Sequence, residues 1–286
     1  MTTSSNNTGL AHSTDTDFRT WGAELSAMLT SAGFPKSADT GQIDWGTATI
    51  PGTNTYAGYE IRYLNDSLHG SKPLYVKIEF GTGSSSGRPQ IRVSAASGTN
   101  GAGTLNGTAY FAAQAICPVV GPGASSYYSA ACAVSGAAWF AWKRGFSSGA
   151  ATLFAVFRTC DASGAPTTTG FHFYYTSSSN LYRYSYVLAS TNDASAYALF
   201  PGAFSNTLTS AGYQVMRHFG FTPDIRCVPY ILSFYNGEVA DQTPFTATPV
   251  STQRTYLPLD GSAGPSGCGY GAAGVLTTAR CALIWE

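Results

Sequence analysis

The sequence predicts a mainly β protein, built from antiparallel β-sandwich or open-barrel modules with one amphipathic helix near the N-terminus. Three observations favour this fold class: a single helical hydrophobic pattern, several short segments in which apolar and polar residues alternate, and frequent turns rich in glycine, serine and asparagine. A period of two residues is typical of a strand with one buried face. Short strands separated by turns are typical of sandwiches and barrels.

The composition favours a component of an assembly. The chain has 286 residues, enough for one large domain or two modest ones. Charged residues are only 10% of it, against roughly 25% in an ordinary soluble domain, and 15 basic side chains balance 15 acidic ones. Copies with so little charge repel each other weakly, and the basic surplus of a nucleic-acid binder is missing. A neutral, stable enzyme is the alternative interpretation of the same numbers.

The N-terminal region divides into an arm and a helix. Residues 1–13 are small and polar, which predicts a flexible or docking arm. A helix is predicted from Asp15 to Ala32, capped by Thr14 or Asp15 and closed by Gly33. Its apolar residues share one face at helical spacing: Phe18, Trp21, Leu25, Met28 and Leu29. We expect this face to pack on the protein core, with a partner-binding helix as the alternative.

The rest of the chain is predicted to be strands. Alternating or β-rich runs lie at 59–63, 74–80, 90–95, 151–158, 170–175, 183–188, 226–235 and 281–286. A second, weaker helix is predicted from Phe204 to Ala211. The glycine-rich stretch SGTNGAGTLNGT (97–108) predicts a long loop, and we place a boundary there between a helix-plus-β module (14–110) and a second β-rich module (111–286).

The segment LYVKIEFGTGSSSG (74–87) contains two short motifs that imitate catalytic sites. Gly81, Gly83 and Gly87 loosely match a nucleotide-binding loop, and residues 83–87 spell the nucleophile elbow of a hydrolase. Both motifs function only where a helix follows the glycines. Residues 90–95 alternate as a strand does, so the sequence predicts strand, loop, strand, with no bound nucleotide and no nucleophile at Ser85.

No catalytic, cofactor-binding or metal-binding residue is predicted. Catalysis by acid and base needs two titratable groups brought together, and the sequence has no local pair of this kind. Acidic residues in turn-like contexts are better explained by solvation: Asp161, Asp193, Glu238, Asp241 and Asp260. His172 lies on a predicted strand opposite two phenylalanines, and His218 has no carboxylate in register. Neither histidine has zinc-site spacing.

The cysteines and the N-terminal sequence indicate the redox state and the cellular compartment to expect. Six scattered cysteines form no C-x-x-C pair: Cys117, Cys132, Cys160, Cys227, Cys268 and Cys281. Buried free thiols are expected, and disulfides formed after release from a cell are the alternative. The N-terminus has neither the basic patch nor the apolar core of a Sec signal peptide, and no apolar run has the length of a membrane span. We therefore expect synthesis in a cytosol and a soluble product.

Tyrosine is unusually frequent, with 18 residues, and forms clusters at 127–128, 171–175 and 182–186. Tyrosine is a good strand former, so a role in strands and core is one explanation. It also gives large, rigid contact area with a polar tip, which suits protein interfaces, and it stacks on sugar rings. The three explanations stay open at this point.

Three segments resemble virion structural proteins of tailed bacteriophages, of the kind encoded among tail and baseplate genes. They are AELSAMLTSAGFPKSADTGQIDWGTAT (23–49), the hairpin YEIRYLND with LYVKIEFGTGSSSGRPQIRVSAASGTNGAGTLNG (59–66 and 74–107), and RTYLPLDGSAGPSGCGYGAAGVLTTARCALIWE (254–286).

The resemblance implies a non-enzymatic, multi-copy component of the tail, baseplate, collar or head–tail junction, assembled in the bacterial host cytoplasm. Its partners would be copies of itself and other virion proteins, without nucleic acid, cofactor or membrane span. The alternative is a receptor-binding module that recognises a host surface glycan, and a cell-wall or capsule hydrolase is less favoured.

Overall fold

The computed structural model describes residues 2–9, 12–84, 88–116, 126–144, 152–161, 163–177, 180–187, 213–215, 230–235, 243–247, 253–259 and 279–285. Within these ranges the chain forms helix α1 (Asp15–Ser31) and fifteen strands. The strands are β1 (Thr2–Gly9), β2 (Tyr56–Tyr63), β3 (Tyr75–Thr82), β4 (Pro89–Thr99), β5 (Leu105–Ile116), β6 (Ser126–Val134), β7 (Ala137–Arg144), β8 (Thr152–Cys160), β9 (Pro166–Ser177), β10 (Asn180–Val187), β11 (Tyr213–Val215), β12 (Ile231–Tyr235), β13 (Phe245–Ala247), β14 (Arg254–Pro258) and β15 (Ala279–Ile284).

The strands form three antiparallel sheets. The central sheet has the order β1-β6-β7-β8-β9-β10, the helix-side sheet the order β2-β3-β4-β5, and the C-terminal sheet the order β11-β12-β15-β14-β13. None of them closes into a barrel. The predicted fold class, mainly β with antiparallel sheets and one N-terminal helix, is therefore confirmed, and the open sheets agree with the sandwich alternative.

The central sheet is buried on both faces, which gives the molecule three layers. One face contributes Phe140, Phe154 and Phe173 to a core shared with α1 and the helix-side sheet. The opposite face contributes Trp139 and Phe157 to a second core shared with the C-terminal sheet. Strand β8 lies between strands on both sides and between layers on both faces, and all nine of its residues are buried.

Helix α1 forms as its sequence predicts. Thr14 is the N-cap: its hydroxyl accepts a hydrogen bond from the Asp17 backbone N–H, and the Asp17 carboxylate accepts one from the Thr14 N–H. The five predicted apolar residues are all buried, including Trp21 at 1% exposure. Gly22 is also required, because a Cβ there would overlap the ring of Trp45. Gly33 ends the helix with a φ of 85°.

The structure describes both the predicted N-terminal arm and the predicted module boundary as parts of β-strands. Residues 2–9 of the predicted arm form β1, which pairs along its whole length with β6 of the same chain. The boundary near residue 110 falls within β5, which runs on to Ile116. The first core also combines residues from both sides of that point, so the structure has no break there.

The predicted strands are confirmed where the structure describes them, and several others were missed. The runs at 59–63, 74–80, 90–95, 151–158, 170–175, 183–188 and 281–286 correspond to β2, β3, β4, β8, β9, β10 and β15, and the end of 226–235 corresponds to β12. Seven strands were not predicted: β1, β5, β6, β7, β11, β13 and β14. The predicted helix at Phe204–Ala211 lies outside the described residues.

Candidate functional site

The glycine motifs belong to β-hairpins. The Gly83 N–H donates to the Arg88 carbonyl across 3.0 Å, and β4 begins at Pro89, so a strand follows the glycines as predicted. Ser85 lies outside the described residues. The loop predicted at 97–108 is much shorter, because β4 continues to Thr99 and β5 begins at Leu105. Both ends of the predicted loop are therefore parts of strands.

The titratable residues singled out in the sequence do not form a common site in the described structure. Asp161 is exposed and caps a turn, where hydrogen bonds from Ser163 and Ala165 lower the pKa of its carboxyl group. His172 is buried on β9. The other candidates lie outside the described residues: Asp193, His218, Glu238, Asp241 and Asp260.

The described residues contain neither a metal-binding group nor a membrane-spanning helix. No group of three or more His, Cys, Asp or Glu in the described ranges could hold a metal ion. No helix in these ranges is long and apolar enough to cross a bilayer. Cys132 and Cys160 are buried, as expected for those two positions.

A buried ionic network joins β2 to the C-terminal half of α1. Glu60 and Arg62 are both 0% exposed, and the Arg62 guanidinium lies 2.6 Å from the Glu60 carboxylate. Arg62 also donates to the Ser26 and Phe34 carbonyls. Desolvation opposes ionisation of Glu60, but the Arg62 charge and hydrogen bonds, including one from Lys36, outweigh it and hold the Glu60 pKa below its usual range. Glu60 and Arg62 therefore hold β2 against α1.

A second buried ion pair joins the helix-side sheet region to the central sheet. The Arg158 side chain contacts the Asp66 carboxylate at 2.6 and 2.8 Å, and the two side chains are at most 1% exposed. Asp66 also accepts a hydrogen bond from the Gly136 backbone N–H. The guanidinium stacks 5.0 Å from the centre of the Phe171 ring. This pair fixes the connection after β2 against β8 and against the turn between β6 and β7.

The surface with the most distinctive chemistry is the outer face of the helix-side sheet. We call it the tyrosine face, and it consists of half-buried side chains on β2, β3 and β4: Tyr56, Tyr59, Tyr63, Tyr75, Lys77, Glu79 and Arg92. The pairing register places Tyr63 opposite Tyr75 and Tyr59 opposite Glu79. The ring centres of Tyr63 and Tyr75 are 6.1 Å apart, and His69 lies against both rings.

The charges on the tyrosine face are already paired or lie over rings. Arg92 contacts Glu79 through two hydrogen bonds of 2.6 Å. The Arg92 guanidinium also lies 4.4 Å from the centre of the Tyr56 ring, and the Lys77 ammonium lies 4.4 Å from that of Tyr59. Cation–π contacts of this kind hold rings in place at little entropic cost. The tyrosine face is therefore an ordered aromatic surface.

The described members of the aromatic clusters visible in the sequence lie in the cores or pack against them. Phe171 and Phe173 lie in the first core and Tyr174 in the second, while Tyr175 and Tyr186 pack partly buried against the first. The side chains of Tyr127, Tyr182 and Tyr184 lie outside the description.

The tyrosines of the tyrosine face are scattered along the chain, so clustering in the sequence did not reveal them. A signal was present nonetheless: Tyr59 and Tyr63 share one face of β2 by their spacing, and cross-strand pairing brings Tyr75 of β3 beside Tyr63.

A groove lies between α1 and β1, and we call it the β1 groove. Its volume is about 240 Å³, and its walls include Ser4, Ser5, Trp21, Glu24 and Trp142. The Trp21 indole nitrogen and one Glu24 carboxylate oxygen are buried and have no hydrogen-bond partner among the described residues. Burial raises the pKa of Glu24. Strand β1 therefore rests on the helix with imperfect packing beneath it.

Comparison with protein-family models, with curated proteins and with solved structures finds no match to the chain.

Proposed function

We propose that the chain is a non-enzymatic structural component of a tailed-phage virion, present in several copies in the tail, baseplate, collar or head–tail junction. The observation that carries the proposal is the tyrosine face. Tyrosine and arginine are enriched in the centres of protein interfaces, where rigid rings give contact area with little loss of entropy. Arg92 and Glu79 of this face are paired and Lys77 donates to the Gly103 carbonyl before any contact forms, which reduces the desolvation cost of covering them.

Two further observations support an assembly role. The formal net charge of zero leaves little electrostatic repulsion between copies. The buried carboxylates Glu60 and Asp66 are each held by an arginine, which is a structural use of charge. The resemblance of three segments to phage virion proteins points to the same class.

The proposal is tested in the phage that encodes the chain. Mass spectrometry of purified virions is expected to find the protein at a fixed multiple-copy number. A Tyr59→Ala, Tyr75→Ala double variant is expected to lose incorporation into particles, and a retained cooperative melting transition shows that the loss does not come from unfolding, because both side chains are half-buried and Tyr59 also donates a hydrogen bond to the Thr40 carbonyl. Thr20→Ala, on the exposed side of α1, is the matched control and is expected to assemble normally. Absence of the wild-type protein from purified particles contradicts the proposal.

The same face supports the second candidate, a receptor-binding module for a host surface glycan. Half-exposed tyrosine rings can stack on sugar rings, and polar tips beside them can bind hydroxyl groups. Titration with isolated host polysaccharide separates the two functions. Saturable binding that the Tyr59→Ala, Tyr75→Ala variant loses favours glycan recognition, and binding confined to sister virion proteins favours the structural role.

A further inference from the structure

Strand β1 occupies the edge of the central sheet and is held chiefly by its backbone. Its sequence, TTSSNNTG, contains only small or polar side chains, and Ser5 is exposed. The strand opposite is different: Ser129, Ala130, Ala131 and Cys132 on β6 are at most 1% exposed. Strand β1 therefore covers a buried strand without contributing large apolar side chains of its own. The backbone edge of β6 needs a pairing strand, and β1 from any copy of the chain can fill that position.

The attachment of β1 to the body is short and begins at a fixed point. His12 is 1% exposed, lies 2.9 Å from the Thr82 hydroxyl and packs against the rings of Phe18 and Trp21. Only residues 10 and 11 separate this anchor from the end of β1 at Gly9. Beyond the anchor, β1 lies over the β1 groove, where the Trp21 indole nitrogen and one Glu24 oxygen find no hydrogen-bond partner among the described residues, so the contact with α1 is incomplete there.

We propose that β1 is exchanged between copies, so that the β1 strand of one copy pairs with β6 of its neighbour. This inference rests on the proposed multi-copy function and names the joint between copies. An exchanged β1 strand forms with the neighbour's β6 the same eight residue pairs, Thr2↔Ala133 to Gly9↔Ser126, that it forms within its own chain. Because the strand contacts are identical, the equilibrium between the unexchanged and exchanged states depends on the connecting residues 10–12 and on the distance between copies. This is the condition for domain swapping.

Proximity decides which state is populated. A short tether gives its own strand an effective concentration in the millimolar range, so an isolated copy keeps β1 on its own β6. Copies fixed side by side in a particle reach comparable local concentrations, and exchange then joins them without new contact chemistry. The tether also limits the arrangement. Three residues span at most about 10 Å, so the place that Gly9 takes opposite the neighbour's Ser126 must lie within roughly that distance of His12.

The register provides a covalent test, because Thr3 lies directly opposite Cys132. Directly opposed residues in antiparallel strands have Cα separations that a disulfide can bridge. The donor chain is Thr3→Cys, Cys132→Ser, which cannot form this disulfide within itself. The acceptor is the wild-type chain, which has Cys132 and no thiol at position 3. The two are co-expressed as full chains with different tags, concentrated to about the millimolar range that the tether gives the strand within one copy, and oxidised mildly so that the disulfide traps exchanged strands.

Exchange is expected to give a disulfide-linked donor–acceptor dimer on a non-reducing gel. Mass spectrometry is expected to identify the cross-linked peptide that joins position 3 of the donor to Cys132 of the acceptor. The matched control donor is Ser4→Cys, Cys132→Ser, whose new thiol lies opposite Ala131 on the other face of the sheet. A dimer yield no greater than that of the control overturns the proposal. The single variant Thr3→Cys is expected to form the disulfide within one chain when dilute, and its failure to do so also overturns it.

This test is made on the purified chain, so its outcome is independent of whether the protein is found in virions. If the cross-link does not form but the protein is incorporated into virions, only the proposed β1 exchange is refuted. If the cross-link forms but the protein is absent from purified virions, only the proposed virion function is refuted.

Discussion

At the scale of single residues, the least expected feature is the orientation of the charged residues on β2. Glu60 and Arg62 alternate with Tyr59, Ile61 and Tyr63, and such a pattern is usually explained by apolar residues facing inward. The structure places the charged pair on the inner face, opposite Ile78 and Val76, where α1 covers it. The helix supplies the partners that make this possible, because its Ser26 and Thr30 accept hydrogen bonds from Arg62.

The two arginine–glutamate pairs of the helix-side sheet should differ sharply in their effect on stability. Arg62→Ala removes a buried cation and leaves the Glu60 carboxylate short of partners, so we expect a loss of about 3–5 kcal/mol in the free energy of unfolding. Arg92→Ala is the matched control. Its side chain is 40% exposed, and exposed pairs contribute less than about 1 kcal/mol. Urea titration measures both, and equal losses would refute the assignment of Glu60 and Arg62 to the core.

His12 should make stability depend on pH in the acidic range. Burial lowers the pKa of His12 from 6.5 to about 4, although the Asp17 charge acts in the opposite direction. As the pH falls below 6.5 the unfolded chain binds a proton at His12 that the folded chain binds only near pH 4, so folding is disfavoured. The contribution is at most about 3 kcal/mol, is complete above pH 6.5 and is lost towards pH 4.

The variant His12→Gln tests this titration directly, because an amide can still donate to Thr82 but does not ionise in this range. Chemical denaturation at several pH values is expected to give a flatter profile for the variant than for the wild type between pH 6.5 and 4. Parallel profiles would show that His12 does not contribute.

At the scale of elements, α1 is the part of the chain with the most complete local signals. Its cap, its apolar face and its closing glycine are all encoded within about twenty residues, and each acts locally. The missed strands lack such signals. Strand β7 reads AAWFAWKR with little alternation, since both faces of the central sheet are covered, and β5 was hidden by the glycines at its start.

The helix should contribute to stability through Trp21 above all. Trp21 is 1% exposed and its ring lies against Phe80 and Trp142, so it links α1 to two sheets. We expect Trp21→Ala to cost about 3–5 kcal/mol. Thr20→Ala, one position earlier on the exposed side, is the control and should change stability by no more than about 0.5 kcal/mol. A cost for Trp21→Ala below about 1 kcal/mol in equilibrium unfolding would contradict the core role of the helix.

At the scale of the whole molecule, the central sheet makes the three layers one structure. The first core needs Phe140, Phe154 and Phe173 from the central sheet in addition to α1 and the helix-side sheet. A fragment ending at residue 110 has neither the second half of β5 nor that covering layer. Sequence segments on the two sides of the predicted boundary are therefore mutually dependent.

The fragment 14–110 should accordingly fail to fold alone. We expect it to lack a cooperative thermal transition and to lack the near-ultraviolet circular dichroism of fixed aromatic rings, because its apolar face is exposed. The full chain under the same conditions is the control. A sharp, reversible transition of the fragment would support an independent module that ends near residue 110.

Local patterns in the sequence were sufficient to predict the fold class, the helix with its cap and buried face, and the hairpin in which a strand follows the glycines after β3. These features depend on periodicity and turn chemistry, which act over a few residues. Three other features became visible only in the folded chain: β1 covers β6, Glu60 and Arg62 face inward, and scattered tyrosines meet on one face. A period of two residues shows that a strand has two different faces, but it does not show what covers either of them. That depends on pairing between segments far apart in the chain, such as β1 with β6 and α1 with β2.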